Sequence, residues 1–169
     1  MKQIISLSFF LIILMFVGCG YKPTVSYAKN SLSGKVYIDV DIDIKNIKNT
    51  IFIKDALIKM VTSKFNLEVT TNKAEASSFI YGKLVSVTQT QLQSDIQGYS
   101  KVYRETVKVI ITYNKRGEPK VTLSESNYAD FTISDDSVIS EAKKDEAIKV
   151  AITKALSNIF SNIAVKSLK

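Results

Sequence analysis

Two adjacent pairs of carboxylates are the side chains of this 169-residue chain whose spacing best suits acid–base chemistry. They are Asp135 with Asp136, and Asp145 with Glu146. Neighbouring carboxylates can act as an acid and a base when burial separates their pKa values. The chain has no histidine, so the commonest general base and the commonest metal ligand are both missing.

The position of both pairs favours a structural explanation. They lie at the beginning of a predicted C-terminal helix, where negative charge stabilises the positive end of the helix dipole. With no histidine, no available cysteine and no Gly-rich loop, no catalytic set can be assembled. We therefore predict that the protein is not an enzyme. A Ser–Lys or carboxylate enzyme is the alternative that these residue types leave open.

Asp39, Asp41 and Asp43 have the D-x-D-x-D spacing of a calcium-binding loop. Such a loop also needs a glycine after the third acid and a glutamate further on. Ile44 stands in the glycine position, and residues 45–53 contain no glutamate. The strict alternation of the aspartates with apolar residues is typical of an extended strand. We therefore predict neither a metal site nor a cofactor.

Cys19 is the only cysteine, and it directly follows an apolar N-terminal segment. Lys2 is followed by 14 largely apolar residues from Ile4 to Val17, whereas a membrane-spanning helix needs about 20. Gly18 then precedes Cys19, a pattern typical of a bacterial lipobox, in which the cysteine receives diacylglycerol and becomes the first residue after cleavage. We predict a signal peptide at 1–18 and lipidation of Cys19. An uncleaved membrane anchor with an incidental cysteine is the alternative.

A lipidated Cys19 would place the mature protein on a membrane surface. Diacylglycerol together with an N-linked acyl chain such as palmitate exceeds the two anchors needed for stable attachment. Gly20 follows the cysteine, where an aspartate commonly retains lipoproteins in the inner membrane. We therefore predict that the protein is anchored in the outer membrane of a Gram-negative bacterium, on its periplasmic side. Residues 19–34 are polar and are interpreted as a tether.

The remaining residues, 35–169, predict one α+β domain. Apolar residues alternate in 36–44, and their spacing becomes helical in 50–64. Three more strands and a C-terminal helix follow, the strands at 79–92, 102–113 and 121–133. This order, β-α-β-β-β-α, predicts a two-layer sandwich with two helices packed on one face of a four-stranded mixed β-sheet.

The apolar residues also predict which face of each element is buried. Phe79, Tyr81, Val85 and Val87 are expected to share one face of their strand. Polar Glu125 and Asn127 suggest a bulge or break in the last strand. Two further sets are expected to be buried: Tyr103, Val107, Val109, Ile111 and Tyr113 in the third strand, and Ile148, Ala151, Ile152, Ala155, Ile159 and Ile163 in the last helix.

The net charge of +7 favours an anionic partner. The basic residues are spread along the chain, whereas a nucleic-acid-binding arm usually has a block of them, so we predict no nucleic-acid partner. Four of them flank a loop or the start of the last helix and could hold a phosphorylated lipid through charge-assisted contacts: Lys101, Arg104, Lys143 and Lys144.

Three segments together resemble one family. They are "CGY-x-P" directly after the lipobox, the strand "YRETVKVIITY", and the helix pattern E-x-x-x-D-E-A-I-x-x-A-I-x-x-A-L-x-x-I that begins at Glu141. The chain resembles the LptE family of outer-membrane lipoproteins that act in lipopolysaccharide assembly. The resemblance covers essentially the whole mature chain.

The resemblance implies a function and a ligand. Members of the family sit as a plug inside the lumen of the LptD β-barrel, help that barrel to fold and bind lipopolysaccharide. Lys101, Arg104, Lys143 and Lys144 are the near matches to the family's lipid-contacting basic residues. A different periplasm-facing lipoprotein, a cell-wall synthase activator or an adhesin-like module, is the alternative. Such proteins usually have a long tether, whereas about 15 residues here reach about 50 Å at most.

Overall fold

The computed structural model describes residues 31–41, 47–94, 96, 100–133 and 140–166, with only the main chain of Ser100, Lys101 and Lys166. The predicted signal peptide, Cys19 and most of the predicted tether lie outside these residues, as do Asp43, Asp135 and Asp136. The described elements are β1 (Val36–Val40), α1 (Ile47–Phe65), β2 (Val69–Thr70), β3 (Ser78–Ser94), β4 (Ser100–Lys115), β5 (Val121–Thr132) and α2 (Glu141–Lys166).

The strands form one mixed sheet in the order β2-β1-β3-β4-β5. β1 pairs in parallel with both β2 and β3, so α1 is a crossover connection. β3, β4 and β5 form an antiparallel meander. Both helices pack on one face of the sheet, which confirms the predicted α+β sandwich. The two-residue β2 adds a fifth strand at the edge of the four predicted ones.

The core lies between the helices and the sheet, where the apolar faces of these elements pack together. In β1, Val36, Ile38 and Val40 are buried, as the alternation predicts. The predicted stripe of α2 is buried throughout, and Ile53, Leu57, Met60 and Val61 of α1 are buried in the same core. Phe65, at the end of α1, packs against Phe160 of α2 with ring centres 5.0 Å apart. Neither described helix is long and apolar enough to cross a membrane.

A β-bulge in β3 makes one predicted face wrong. The pairing of β3 with β4 shifts between Leu84 and Ser86, so Val85 is an extra residue in the strand. An extra residue reverses the alternation beyond it. Phe79 and Tyr81 therefore lie on the face away from the helices, whereas Val87 packs against the core.

β5 is continuous, and the break predicted at Glu125 and Asn127 is wrong. Its residues pair with β4 without a register shift from Val121 to Thr132. Glu125 is tolerated on the helix-facing side because it lies at the edge, where Asn162 Nδ2 of α2 donates a hydrogen bond to its Oε1 over 3.0 Å. β5 is an edge strand, so polar residues on its helix side remain within reach of water.

Residues 31–34, the last four of the predicted tether, pack against the domain. Leu32 is fully buried in the core. The main chain of Ser33 both donates to and accepts from Ser78 Oγ, over 2.9 and 2.8 Å. Gly34 has a φ of +62°, and a Cβ there would lie 2.7 Å from Ser77 Oγ. This left-handed turn leads the chain into β1 beside the start of β3.

Candidate functional site

Three of the four basic residues predicted to hold lipopolysaccharide lie on separate surfaces. Lys101 belongs to β4, and only its main chain is described. Arg104 of β4 lies on the face of the sheet away from the helices, next to Asp130. Lys143 reaches the edge strand β5, and Lys144 lines a cavity under the helices. The structure therefore does not bring Arg104, Lys143 and Lys144 together into one site.

Arg104 is engaged by its cross-strand neighbours. Its Nε and Nη2 donate to the two carboxylate oxygens of Asp130 over 2.7 and 2.9 Å. The hydrogen bonds from Arg104 lower the pKa of Asp130. The guanidinium carbon also lies 3.6 Å from the centre of the Tyr128 ring, a close cation–π contact. An arginine held by a bidentate carboxylate and a ring has little free capacity for an anionic ligand.

Lys143 and Lys154 reach from α2 to the edge of the sheet. Lys143 Nζ donates to the carbonyl of Thr132 over 3.1 Å, and Lys154 Nζ donates to the carbonyl of Tyr128 over 3.2 Å. Lysines along an edge strand discourage further strands from pairing with it. This arrangement explains Lys143 as part of the fold.

The face of the sheet away from the two described helices holds three neighbouring aromatic rings, which we call the aromatic patch: Tyr37, Phe79 and Tyr81. Tyr37 of β1 pairs with Phe79 of β3, and Asp39 pairs with Tyr81 two residues on. The three rings therefore lie on the same face of adjacent strands. All three side chains are half-buried, which leaves part of each ring facing solvent.

Three cations surround the aromatic patch, and we call them the basic rim: Lys73, Arg116 and Lys120. Lys73 Nζ lies 6.0 Å from the centre of the Tyr37 ring and 5.9 Å from that of Tyr81. Lys120 Nζ lies 5.6 Å from the Tyr81 ring, and the Arg116 guanidinium lies 5.4 Å from Phe79. Rings and cations at this spacing suit an anionic ligand with apolar or sugar surfaces.

Arg116 is the fixed member of the basic rim. Its guanidinium donates to the carbonyls of Lys73, Ala74 and Ala76 over 2.7–3.0 Å. It thereby ties the hairpin turn after β4 to the connector before β3. Lys73 and Lys120 form no ion pair among the described residues, so their ammonium groups are free to meet a ligand.

Sequence reasoning missed this group because its members come from four separate stretches of the chain. Tyr37 and Tyr81 are in the predicted strands, but nothing local shows that β1 and β3 are neighbours. Lys73 lies in a polar connector, where an exposed lysine is ordinary. The available sequence signal was the aromatic residues near the start of two strands, Tyr37 in β1 and Phe79 with Tyr81 in β3.

A second candidate is the cavity under Lys144, about 300 Å³ in volume, which we call the Glu105 cavity. Glu105 of β4 lies on the helix-facing side and is fully buried. Neither of its carboxylate oxygens has a hydrogen-bond partner among the described residues. Burial raises the pKa of Glu105, while the charge of Lys144 lowers it and that of Glu141 raises it. The cavity is lined by Asn49, Leu84, Val85, Ser86, Val87, Gln89, Glu105, Lys144 and Ile148.

Asp39 and Asp41 of the D-x-D-x-D stretch have separate partners, and Asp43 lies outside the described residues. Asp39 Oδ1 accepts a hydrogen bond from the main-chain N–H of Val40 over 2.9 Å. Asp41 pairs with Lys83 across the sheet over 2.8 Å. No group of three or more metal-ligating side chains occurs within residues 31–41, 47–94, 96, 100–133 and 140–166.

The chain matches no protein-family model and no curated protein sequence. Its fold is similar to that of rare lipoprotein B from Shewanella oneidensis, with a TM-score of 0.52 and 12% identity over 79% of this chain and 96% of that one. Lipoprotein B from Nitrosomonas europaea also has a TM-score of 0.52, with 15% identity over 89% of this chain and 92% of that one. The α+β sandwich is therefore a fold that also occurs in these bacterial lipoproteins.

Proposed function

We propose that this chain is a non-enzymatic outer-membrane lipoprotein that plugs an LptD-type β-barrel and helps it to assemble. The lipobox at Cys19 supports the lipid anchor, and the resemblance to the LptE family supports the barrel partner. The fold shared with two bacterial lipoproteins is consistent with both. The proposed location is the periplasmic side of the outer membrane and the lumen of the barrel.

The observation that carries this proposal is the uncovered face of the sheet, which no described helix or strand overlies. Its polar side chains satisfy one another across the strands. Thr112 Oγ1 and Thr122 Oγ1 are 3.0 Å apart, Lys83 pairs with Asp41, and Arg104 pairs with Asp130. The lumen of an outer-membrane barrel is polar. A polar face whose side chains pair with one another is suited to lie against such a wall.

Lipopolysaccharide contact is the second part of the proposal. Arg104 and Lys143 have internal partners, which weakens the sites expected from the resemblance. The aromatic patch and the basic rim place Lys73 and Lys120 together on the uncovered face. Lysine ammonium groups form charge-assisted hydrogen bonds with phosphate. We therefore propose the basic rim as the place where this protein contacts phosphorylated lipid.

Site-specific photo-crosslinking in cells tests the plug role. A photoreactive residue at Ser124, exposed on the uncovered face where β5 forms the edge of the sheet, is expected to capture a large β-barrel protein. The same residue at Asp55, on the exposed side of α1, serves as the matched control and is expected to capture far less. Capture of a soluble cell-wall enzyme from Ser124, without any barrel protein, would favour the alternative interaction module.

Depletion of the protein gives an independent test. The proposal predicts that folded barrel and surface lipopolysaccharide both decrease, because a barrel without its plug assembles poorly. The amount of folded barrel is measured by heat-modifiable gel mobility, and surface lipopolysaccharide by labelling of intact cells. Unchanged levels of both would contradict the proposed function.

A further inference from the structure

Glu105 is a buried acid that the proposed plug role does not use. Its side chain is fully inaccessible to solvent, and both carboxylate oxygens lack a hydrogen-bond partner among the described residues. Most buried polar atoms in proteins have a partner, so an orphan carboxyl group needs an explanation. Burial of an unpaired carboxylate destabilises a fold, because the charge loses its hydration without gaining a partner. The sheet would be more stable with an apolar residue here.

The Glu105 cavity supplies the space for a missing partner. It lies between the first turns of α1 and α2 and the middle of β3 and β4, where Asn49, Gln89 and Lys144 line it with Glu105. Its volume of about 300 Å³ is at the lower end of the range for small-molecule sites. A ligand head group of a few heavy atoms, rather than a single water molecule, would fill it.

The charges around the cavity define the ligand further. Among the described residues, Glu141 is the acid and Lys144 the base whose charges act on Glu105. The nearby ions Lys48 and Asp145 pair with each other across α1 and α2. Lys144 forms no ion pair or hydrogen bond with Glu105 within the described residues. With Glu105 ionised, these described groups carry one excess negative charge, which a single positive charge would balance.

We propose that the Glu105 cavity binds the head group of a small monocationic ligand, an alkylammonium or alkylguanidinium ion. Both carboxylate oxygens of Glu105 are closed to solvent in this structure, so the side chain turns towards the cavity when the ligand binds. It then accepts hydrogen bonds from the ammonium or guanidinium group, which carries several donors and no acceptor. A divalent metal ion is disfavoured because one carboxylate cannot supply its ligand set. The apolar residues Leu84, Val87 and Ile148 are placed to contact the alkyl part of the ligand.

Titration of the full mature lipoprotein in detergent tests this proposal. The probes are butylammonium and butylguanidinium, with butanol as the neutral control and sodium chloride to match ionic strength. Calorimetry is expected to show saturable binding of a cation and none of butanol. Glu105→Gln is expected to weaken binding by about tenfold or more, because it replaces a charge-assisted hydrogen bond with a neutral one. Glu146→Gln, on the exposed side of α2, is expected to leave binding unchanged.

Two outcomes would overturn the proposal. One is that neither cation binds saturably, or that Glu105→Gln binds as tightly as the native protein. The other concerns Lys144, which could turn towards Glu105 and act as its counterion in solution. Binding that appears only in Lys144→Met, and not in the native protein, would show that Lys144 fills this role. Native binding that becomes tighter in Lys144→Met would support the proposal, because a competing cation has been removed.

Discussion

A charged residue in the sequence is not by itself a binding residue, because contacts within the folded protein can already occupy its side chain. Arg104, Lys143 and Lys144 are similar in sequence terms, since each is a cation near the end of an element. Arg104 is held by Asp130 and Tyr128, Lys143 bonds a carbonyl of β5, and Lys144 lines the Glu105 cavity. A cation already bonded to the protein must give up that contact before it can bind a ligand. The free charges of Lys73 and Lys120 are therefore better placed for an external anion.

Glu105 predicts how stability depends on pH. Its pKa is raised in the folded protein, so the folded state holds the proton more tightly than the unfolded state does. Its contribution to stability is therefore fully present below the pKa of an unfolded glutamate and is lost as the pH rises through the raised pKa. We expect the free energy of unfolding to fall between pH 4 and pH 8, as measured by urea denaturation.

The variant Glu105→Gln isolates this effect. At pH 8 it is expected to be more stable than the native protein by about 1 kcal/mol, because a buried amide costs less than a buried unpaired carboxylate. At pH 4 the two proteins are expected to be equally stable, as both side chains are neutral. The variants Glu141→Gln and Lys144→Met measure how much the charge of each residue changes the pH dependence of stability, because both charges act on the pKa of Glu105. The same pH slope in Glu105→Gln as in the native protein would contradict this interpretation.

At the scale of elements, α2 contributes most of the apolar surface on the helix layer. Ile159 lies in the C-terminal half of this helix and is fully buried. We expect Ile159→Ala to lower the free energy of unfolding by about 2–5 kcal/mol, through lost burial and the cavity that remains. Val165 is 58% exposed on the same helix, and Val165→Ala is expected to change stability by under about 0.5 kcal/mol. Urea unfolding of both variants, with similar m-values, checks the difference.

The turn at Gly34 starts the sheet and gives a second prediction at this scale. Gly34→Ala is expected to destabilise the protein by more than about 1 kcal/mol, because its positive φ strains any side chain and the new Cβ would clash with Ser77. Gly117 also has a positive φ, of +83°, but faces open space, so Gly117→Ala measures the backbone strain alone.

A double variant separates the two causes of the effect at Gly34. Ser77→Gly removes both side-chain atoms that the new Cβ would meet. Gly34→Ala combined with Ser77→Gly is therefore expected to cost less than the sum of the two single changes. Thermal unfolding of the set gives the coupling. Strict additivity would mean that the clash with Ser77 is not part of the cost.

At the scale of the whole molecule, the two layers divide its roles. The helices and the inner face of the sheet bury the core, while the outer face carries the paired polar groups, the aromatic patch and the basic rim. The proposed plug role depends on the whole outer face, and the proposed lipid contact depends on the basic rim alone. The two proposals can therefore fail separately.

Neutralising the basic rim tests the lipid contact. The double variant Lys73→Gln/Lys120→Gln is expected to weaken lipopolysaccharide binding by the purified protein about tenfold, or roughly 1.4 kcal/mol, because two free ammonium groups are lost. The amount of folded barrel in cells is expected to stay the same. Lys54→Gln/Lys59→Gln removes the same charge from the exposed side of α1 and serves as the control. Equal weakening by both pairs would indicate attraction by net charge rather than a site.

The sequence by itself determined the local structure, because period and side-chain type act over a few residues. Alternation in 36–40 and 102–113, and the apolar stripe of α2, predict elements and buried faces that the structure confirms. The positive φ of Gly117 in the hairpin turn is equally local. The lipobox at Cys19 also belongs to this class, and lipidation of Cys19 remains a prediction.

Only the tertiary structure decided which distant residues meet. The bulge at Val85 depends on pairing with β4 and moves Phe79 and Tyr81 away from Val87. Glu105 alternates in phase with the buried residues of β4, but its charge predicts exposure. Its complete burial beside α2 depends on packing between elements far apart in the chain. The basic rim gathers Lys73 and Lys120 around rings of β1 and β3. Strand order and register are set by long-range packing, and no short stretch of sequence contains that information.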